Sequence, residues 1–122
     1  MKEKRIVITG MGIVSPIGIG KEEFYQSLAE GKSGIKPITL FDTTKYKVKV
    51  AGEIAQFDPE SILGKKGLLD LDRTTKLLLS SAKLALDDAS LLVGEENSSD
   101  IGVSVGTTFG SLNSVSKFDR ES

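Results

Sequence analysis

The chain has 122 residues, 39% of them hydrophobic and 27% charged, with a net charge of −1. That length suits one domain or part of a larger one, and a domain of this size buries roughly two-thirds of its unfolded surface. Nothing in that even balance of charge points to nucleic acid or an anionic membrane. With no cysteine and no histidine, these residues also lack disulfides, thiolates, the usual general base near neutral pH and the commonest metal ligand.

The N-terminus is charged through Met1-Lys2-Glu3-Lys4-Arg5, and only Ile6-Val7-Ile8 follows before Thr9-Gly10. That run is too short for a signal-peptide core. No stretch approaches the length of a membrane-spanning helix, so the expected location is the cytoplasm. Residues 5–9 are β-branched and stopped by glycine, which predicts a buried strand. Residues 10–20 form a loop punctuated by Gly10, Gly12, Gly18 and Gly20. A short helix is expected over 21–30: Phe24 and Leu28 share a face, Glu22 and Glu23 suit its N-terminus, and Gly31 stops it. Residues 33–44 are irregular.

Strict alternation over Lys45-Tyr46-Lys47-Val48-Lys49-Val50 predicts a strand with three lysines on one face. Exposed strand faces commonly carry lysine, which also blocks edge pairing. Phe57-Asp58-Pro59-Glu60 opens a turn or short helix, and residues 64–67 are a break. The longest helix is expected over about 72–91, with Leu78, Ala82, Leu86 and Ala89 recurring at intervals of three and four. Residues 94–100 are a polar loop. Residues 101–105 read as a second buried strand ended by Gly106, and residues 111–122 as the start of another helix. Two buried strands joined through helices predict a parallel α/β sheet. Two strands do not complete one, so the chain is expected to be an incomplete part of a larger fold.

Thr9-Gly10-Met11-Gly12-Ile13-Val14-Ser15 after a strand begins like a dinucleotide fingerprint, in which glycines let the backbone approach a pyrophosphate. The fit then fails. Ser15 stands where the third glycine belongs, Pro16 follows, and the ribose-binding acid near Glu30 falls at a helix end rather than a strand end.

A more specific resemblance is carried by ordered segments along the whole chain. Arg5-Ile6-Val7-Ile8-Thr9-Gly10-Met11-Gly12-Ile13-Val14-Ser15-Pro16-Ile17-Gly18 resembles the opening of the β-ketoacyl-(acyl carrier protein) synthases. The segment from Phe24 to Ile35 is similar to that family's first helix and its exit. Phe41-Asp42 and Ala51-Gly52-Glu53-Ile54 follow in order. Leu71-Asp72-Arg73-Thr74 and Ala85-Leu86-Asp87-Asp88-Ala89 bracket its long helix, and the segment from Ile101 to Leu112 resembles the next strand and its glycine-rich turn.

The resemblance implies an α/β fold of the thiolase-like, layered αβαβα kind, of which residues 1–122 are the N-terminal part. It implies a decarboxylative Claisen condensation of an acyl thioester with malonyl-carrier protein, a homodimer, an acyl carrier protein as partner, and no cofactor or metal. The family's nucleophile is a cysteine and its enolate-stabilising groups are two histidines. This sequence contains neither, so no catalytic residue carries over. The resemblance does assign Thr108 and Phe109, on the glycine-rich turn, to the acyl pocket near the dimer interface. The family's basic segment before the long helix, which suits an acidic carrier, begins here with Lys65-Lys66 but continues Leu68, Leu69, Asp70. Electrostatic docking there would be weak or altered, and the simpler reading of Lys65-Lys66, solvated lysines at a loop, is favoured. Two other readings stay open: a non-catalytic partner of a synthase, resembling a chain-length factor, and a dinucleotide-binding domain.

Overall fold

The computed structural model describes residues 5–121; most of the charged N-terminal run and Ser122 lie outside them. The first elements are local. β1 (Val14–Ser15) and β2 (Gly18–Ile19) form a tight antiparallel hairpin, with Val14 opposite Ile19 and Ser15 opposite Gly18. Ser15 Oγ closes its turn, donating to the Gly18 carbonyl at 3.0 Å and accepting from Ile17 N at 3.3 Å. α1 (Lys21–Ala29) follows. A second antiparallel ribbon pairs β3 (Ile35–Pro37) with β4 (Val50–Gly52). Then come α2 (Pro59–Leu63), α3 (Arg73–Asp88), a 3-10 turn over Ser98–Asp100, and α4 (Leu112–Glu121).

The helix boundaries have physical causes. α2 has proline at its first turn, and its cap Asp58 accepts from Glu60 N at 3.0 Å, a combination that suits a helix start. Asp72 caps α3 by accepting from Thr75 N at 2.7 Å. The C-terminal ends of α1 and α3 close in the same way. In α1, Lys32 N reaches Ser27 O at 2.9 Å and Gly31 N reaches Leu28 O at 3.1 Å; in α3, Leu91 N reaches Leu86 O at 2.9 Å and Ser90 N reaches Asp87 O at 3.0 Å. Both are Schellman motifs, which need a residue at positive φ. In α1 that residue is Gly31 at φ 68, and in α3 it is Ser90 at φ 52. α3 therefore stops at Asp88, short of the expected Leu91.

Two expectations about strands are corrected. Residues 5–9 and 101–105 belong to no ladder, and their side chains are not buried: Ile6 is 96% exposed and Val103 87%, with Val7, Ile8 and Val105 also exposed and Ile101 half-buried. A strand exists through its neighbour's hydrogen bonds. The two ribbons that do form pair segments close in sequence, whereas these two runs meet no partner among the described residues. The parallel sheet is thus not formed among the described residues. The alternating run over 45–50 is not a strand either, apart from Val50. A turn intervenes, with Asp42 accepting from Thr44 N at 3.0 Å and Tyr46 N donating to Thr43 O at 3.0 Å, and Tyr46 and Val48 are exposed beside the lysines.

The accessible surface is 10475 Å². A compact monomer of 13.0 kDa would expose about 6,300 Å². The expected two-thirds burial is not reached, because the apolar runs stay outside. Among the described residues Leu68 is the one buried hydrophobic, 7% exposed, and the fully buried side chains are the small Ser27 and Ser80.

Candidate functional site

The turn carrying Thr108 and Phe109 sits over the N-terminus of α3. Thr74, in the first turn of α3, donates its hydroxyl to the Gly110 carbonyl at 2.9 Å. The Asp72 carboxylate accepts from Thr75 N at 2.7 Å, and its carboxyl is held below the usual range by the Ser111 hydroxyl foremost, then by Thr75 and, least, by Ser114. Phe109 O accepts from Leu112 N at 3.2 Å as α4 begins.

Within this turn Phe109 stands at φ 57. A bulky residue in the left-handed region costs on the order of 1–2 kcal/mol, so the surrounding bonds impose this backbone. Phe109 is 80% exposed, and Thr108 is exposed too. The structure brings Thr108 and Phe109 together on one turn but lines neither concavity with them. The larger concavity, about 880 Å³, lies between the β1–β2 hairpin and the β3–β4 ribbon, lined by Pro16, Ile17, Lys36, Glu53 and Gln56 among others. The smaller, about 350 Å³, is an apolar groove between α2 and α3 with Leu63, Leu71, Leu79 and Leu86, and Lys66 at its rim. The segment beside that rim splits in two directions: Leu68 turns inward, and Leu69 is 96% exposed.

The dinucleotide reading fails on geometry. A Cβ on Gly12 would lie 1.9 Å from the Ser81 carbonyl oxygen, and one on Gly10 2.3 Å from that of Ala85. These glycines lie against the backbone of α3, where Ser81, Ala85 and Ala89 are small. Met11 N, the kind of amide a pyrophosphate would take, donates instead to Asp88 Oδ2 at 2.9 Å. Asp88 also forms an ion pair with Lys21. The bond from Lys21, then that from Met11 N, lowers the Asp88 carboxyl, and Asp88 correspondingly raises Lys21.

Sequence reasoning missed this cluster. Asp88 was visible only as one of two adjacent aspartates at the end of a helix, with nothing in the spacing to tie it to Met11 or Lys21. A second network was also missed. Glu53 accepts from Thr39 N at 2.8 Å, Thr39 Oγ1 at 3.0 Å and Leu40 N at 3.2 Å, holding the β3–β4 ribbon closed at its end, and Arg73 bonds the Ile54 carbonyl while its guanidinium lies 5.7 Å from the Phe57 ring centroid. Among the described residues no helix is long and apolar enough to cross a membrane, and no group of three metal-ligating side chains is gathered.

Comparison with known proteins places this arrangement. Residues 3–122 match the family model "Beta-ketoacyl synthase, N-terminal domain". The chain is 37% identical over 117 residues to 3-oxoacyl-(acyl-carrier-protein) synthase 2 of Coxiella burnetii, covering 96% of this chain and 28% of that protein. It is 37% identical over 112 residues to the synthase 2 of Synechocystis sp., covering 92% and 27%. Among solved structures it is similar to the ishigamide ketosynthase/chain length factor, with a TM-score of 0.75 at 35% identity, over 90% of this chain and 27% of that one. The chain thus spans little more than a quarter of the length of these relatives. The fold is the thiolase-like α/β fold, and the chain belongs to the β-ketoacyl synthase family, matching its N-terminal domain.

Proposed function

We propose that this chain is the N-terminal part of a condensing enzyme, a 3-oxoacyl-(acyl carrier protein) synthase of fatty-acid or polyketide assembly. The observation that carries the reading is the match, along nearly the whole chain, to proteins named as such synthases. In the reaction an acyl group on a cysteine thiolate is attacked by the carbanion left when malonyl-carrier protein loses CO₂. The new carbon–carbon bond gives 3-oxoacyl-carrier protein, and the thiolate departs. With no cysteine or histidine here, the reacting groups belong to sequence outside these 122 residues. The exposed runs over 5–9 and 101–105 support the same view, since they are apolar and β-branched, of the kind a sheet buries. The full-length enzyme is then a cytoplasmic homodimer acting on acyl and malonyl thioesters of a carrier protein.

Within it, Thr108 and Phe109 line the acyl pocket, and the phenyl ring occupies space that acyl carbons would otherwise fill. Each methylene excluded forgoes about 0.8 kcal/mol of burial, close to a fourfold change in kcat/KM. The experiment incubates the full-length protein with acyl and malonyl carrier proteins and follows 3-oxoacyl product. Product is expected from the full-length protein and none from the isolated chain. Phe109→Ala should raise kcat/KM for long primers relative to short ones, and an unchanged ratio in a folded dimer would remove Phe109 from the pocket.

A second reading has its own support, because the solved relative's title names a chain length factor beside the ketosynthase. On that reading the full-length protein pairs with an active synthase and forms no product alone, so activity that appears only on adding a partner synthase decides for it.

A further inference from the structure

We propose that Thr74 and Asp72 are positioning residues for Phe109: by clamping its turn to the start of α3, they fix how far the phenyl ring reaches and so help set acyl chain length. The inference rests on the reading of Phe109 as a wall of the acyl pocket. A phenylalanine at φ 57 holds that backbone only where its neighbours impose it. Those neighbours lie on its C-terminal side. The next residue, Gly110, presents its carbonyl to Thr74 Oγ1 at 2.9 Å. The one after, Ser111, brings its hydroxyl beside the Asp72 carboxylate, whose pKa it lowers most. The same Asp72 carboxylate caps α3 through Thr75 N at 2.7 Å. The turn is thus bonded to the helix start through Thr74, with Asp72, the cap of that start, beside it.

Among the described residues the N-terminal side offers no comparable hold. A Cβ added at Gly102 or Gly106 would meet nothing within 4 Å. The position of the turn is therefore inherited from α3. Phe109 makes little contact of its own, being 80% exposed, so the ring's direction follows from the backbone that the clamp imposes. Loosening the clamp lets φ at Phe109 return to an ordinary value, which redirects the Cα–Cβ bond and swings the ring away from its stop.

The test uses the full-length synthase and compares kcat/KM for long and short acyl primers. Thr74→Val keeps the shape and removes the donor, so the long-to-short ratio should rise several-fold, and Thr74→Ser should restore it. Ser111→Ala, which removes the hydroxyl beside Asp72, should shift the ratio the same way and serves if Thr74→Val does not fold. In a Phe109→Ala background, Thr74→Val should add nothing to the ratio. If Phe109→Ala shifts the ratio while Thr74→Val and Ser111→Ala leave it fixed, lowering all primers alike, the clamp is merely structural and the inference fails with the pocket reading intact. If the Thr74→Val shift persists in the Phe109→Ala background, the effect does not pass through the ring and the inference also fails. If Phe109→Ala itself changes nothing, the pocket reading falls and takes the clamp with it.

Discussion

Replacing Gly12 with alanine tests the seam between the N-terminal loop and α3. The added Cβ would sit 1.9 Å from the Ser81 carbonyl oxygen, 2.5 Å from Ala85 N and 3.0 Å from Leu84 Cβ. The first two are helix backbone atoms, locked in the α3 hydrogen-bond ladder, so the loop must move away. Moving it strains or breaks the bond from Ser81 Oγ to Gly12 O, 2.8 Å, and the bond from Met11 N to Asp88, 2.9 Å. Overpacking costs about 1–3 kcal/mol and each lost hydrogen bond about 1 kcal/mol, so a destabilisation of about 3–5 kcal/mol is expected. Urea unfolding of the wild type and Gly12→Ala in matched conditions measures it. Adding Ser81→Gly should not rescue the variant, because the atom met is main-chain. A loss below about 1 kcal/mol, or full rescue by Ser81→Gly, would falsify the claim that backbone contact is what requires glycine here.

Three further outcomes are expected. Ser90→Gly should stabilise by about 0.5–1 kcal/mol, since Ser90 takes the positive φ that glycine takes at the end of α1, and Gly31→Ala should destabilise by a similar amount; a denaturation midpoint moving the other way in either variant counts against the shared capping motif. The Asp88 carboxyl is lowered and the Lys21 ammonium raised by their mutual bond. Stability from Asp88 is therefore present above the unfolded carboxyl pKa and lost as pH falls through the folded value. That from Lys21 is present below the unfolded lysine pKa and lost as pH rises through the folded one. Asp88→Asn should flatten both limbs of a stability-against-pH curve, and limbs identical to wild type would dismiss the pair. Val103→Asp should change the stability of the isolated chain by no more than about 0.5 kcal/mol, because the side chain is already in water, yet cost several kcal/mol in the full-length protein, where the run is expected to be buried; equal effects in both would contradict that burial.

The helices were legible because their causes are local. Asp72 with the periodic leucines marked the start of α3, and Gly31 marked the end of α1. The end of α3 was misjudged because Ser90, not a glycine, takes the left-handed position, and Leu91 prolongs the apolar pattern past it. The runs over 5–9 and 101–105 carry an apolar β-branched signature that reports an environment. That environment needs partner strands, and composition cannot say whether the same chain supplies them. At the candidate site, the glycine-rich turn was readable from Gly106 and Gly110, and Phe109 was placed on it. Its positive φ was not readable, since a bulky aromatic is among the residues least suited to that conformation, and the bond from Thr74 that holds its turn spans 36 residues of sequence.

The small residues facing the loop, Ser81, Ala85 and Ala89, recur every four positions. At Gly12 alone, shape would admit a one-turn slip of α3, about 5.4 Å, with Ala85 arriving where Ser81 stood, although at Gly10 the same slip would bring the larger Val93 in place of Ala89. The polar pins forbid it. Such a slip would put a methyl opposite the Gly12 carbonyl in place of the Ser81 hydroxyl, and Leu92 near Met11 N in place of Asp88. A slip the other way presents Leu77 to Gly12 and collides. The seam thus works like a vernier: spacing offers discrete settings, and two hydrogen bonds select one. Because the clamp on the Phe109 turn hangs from the same helix, a change of setting at Gly12 would reach the ring as a translation of a full helical turn rather than as a gradual drift.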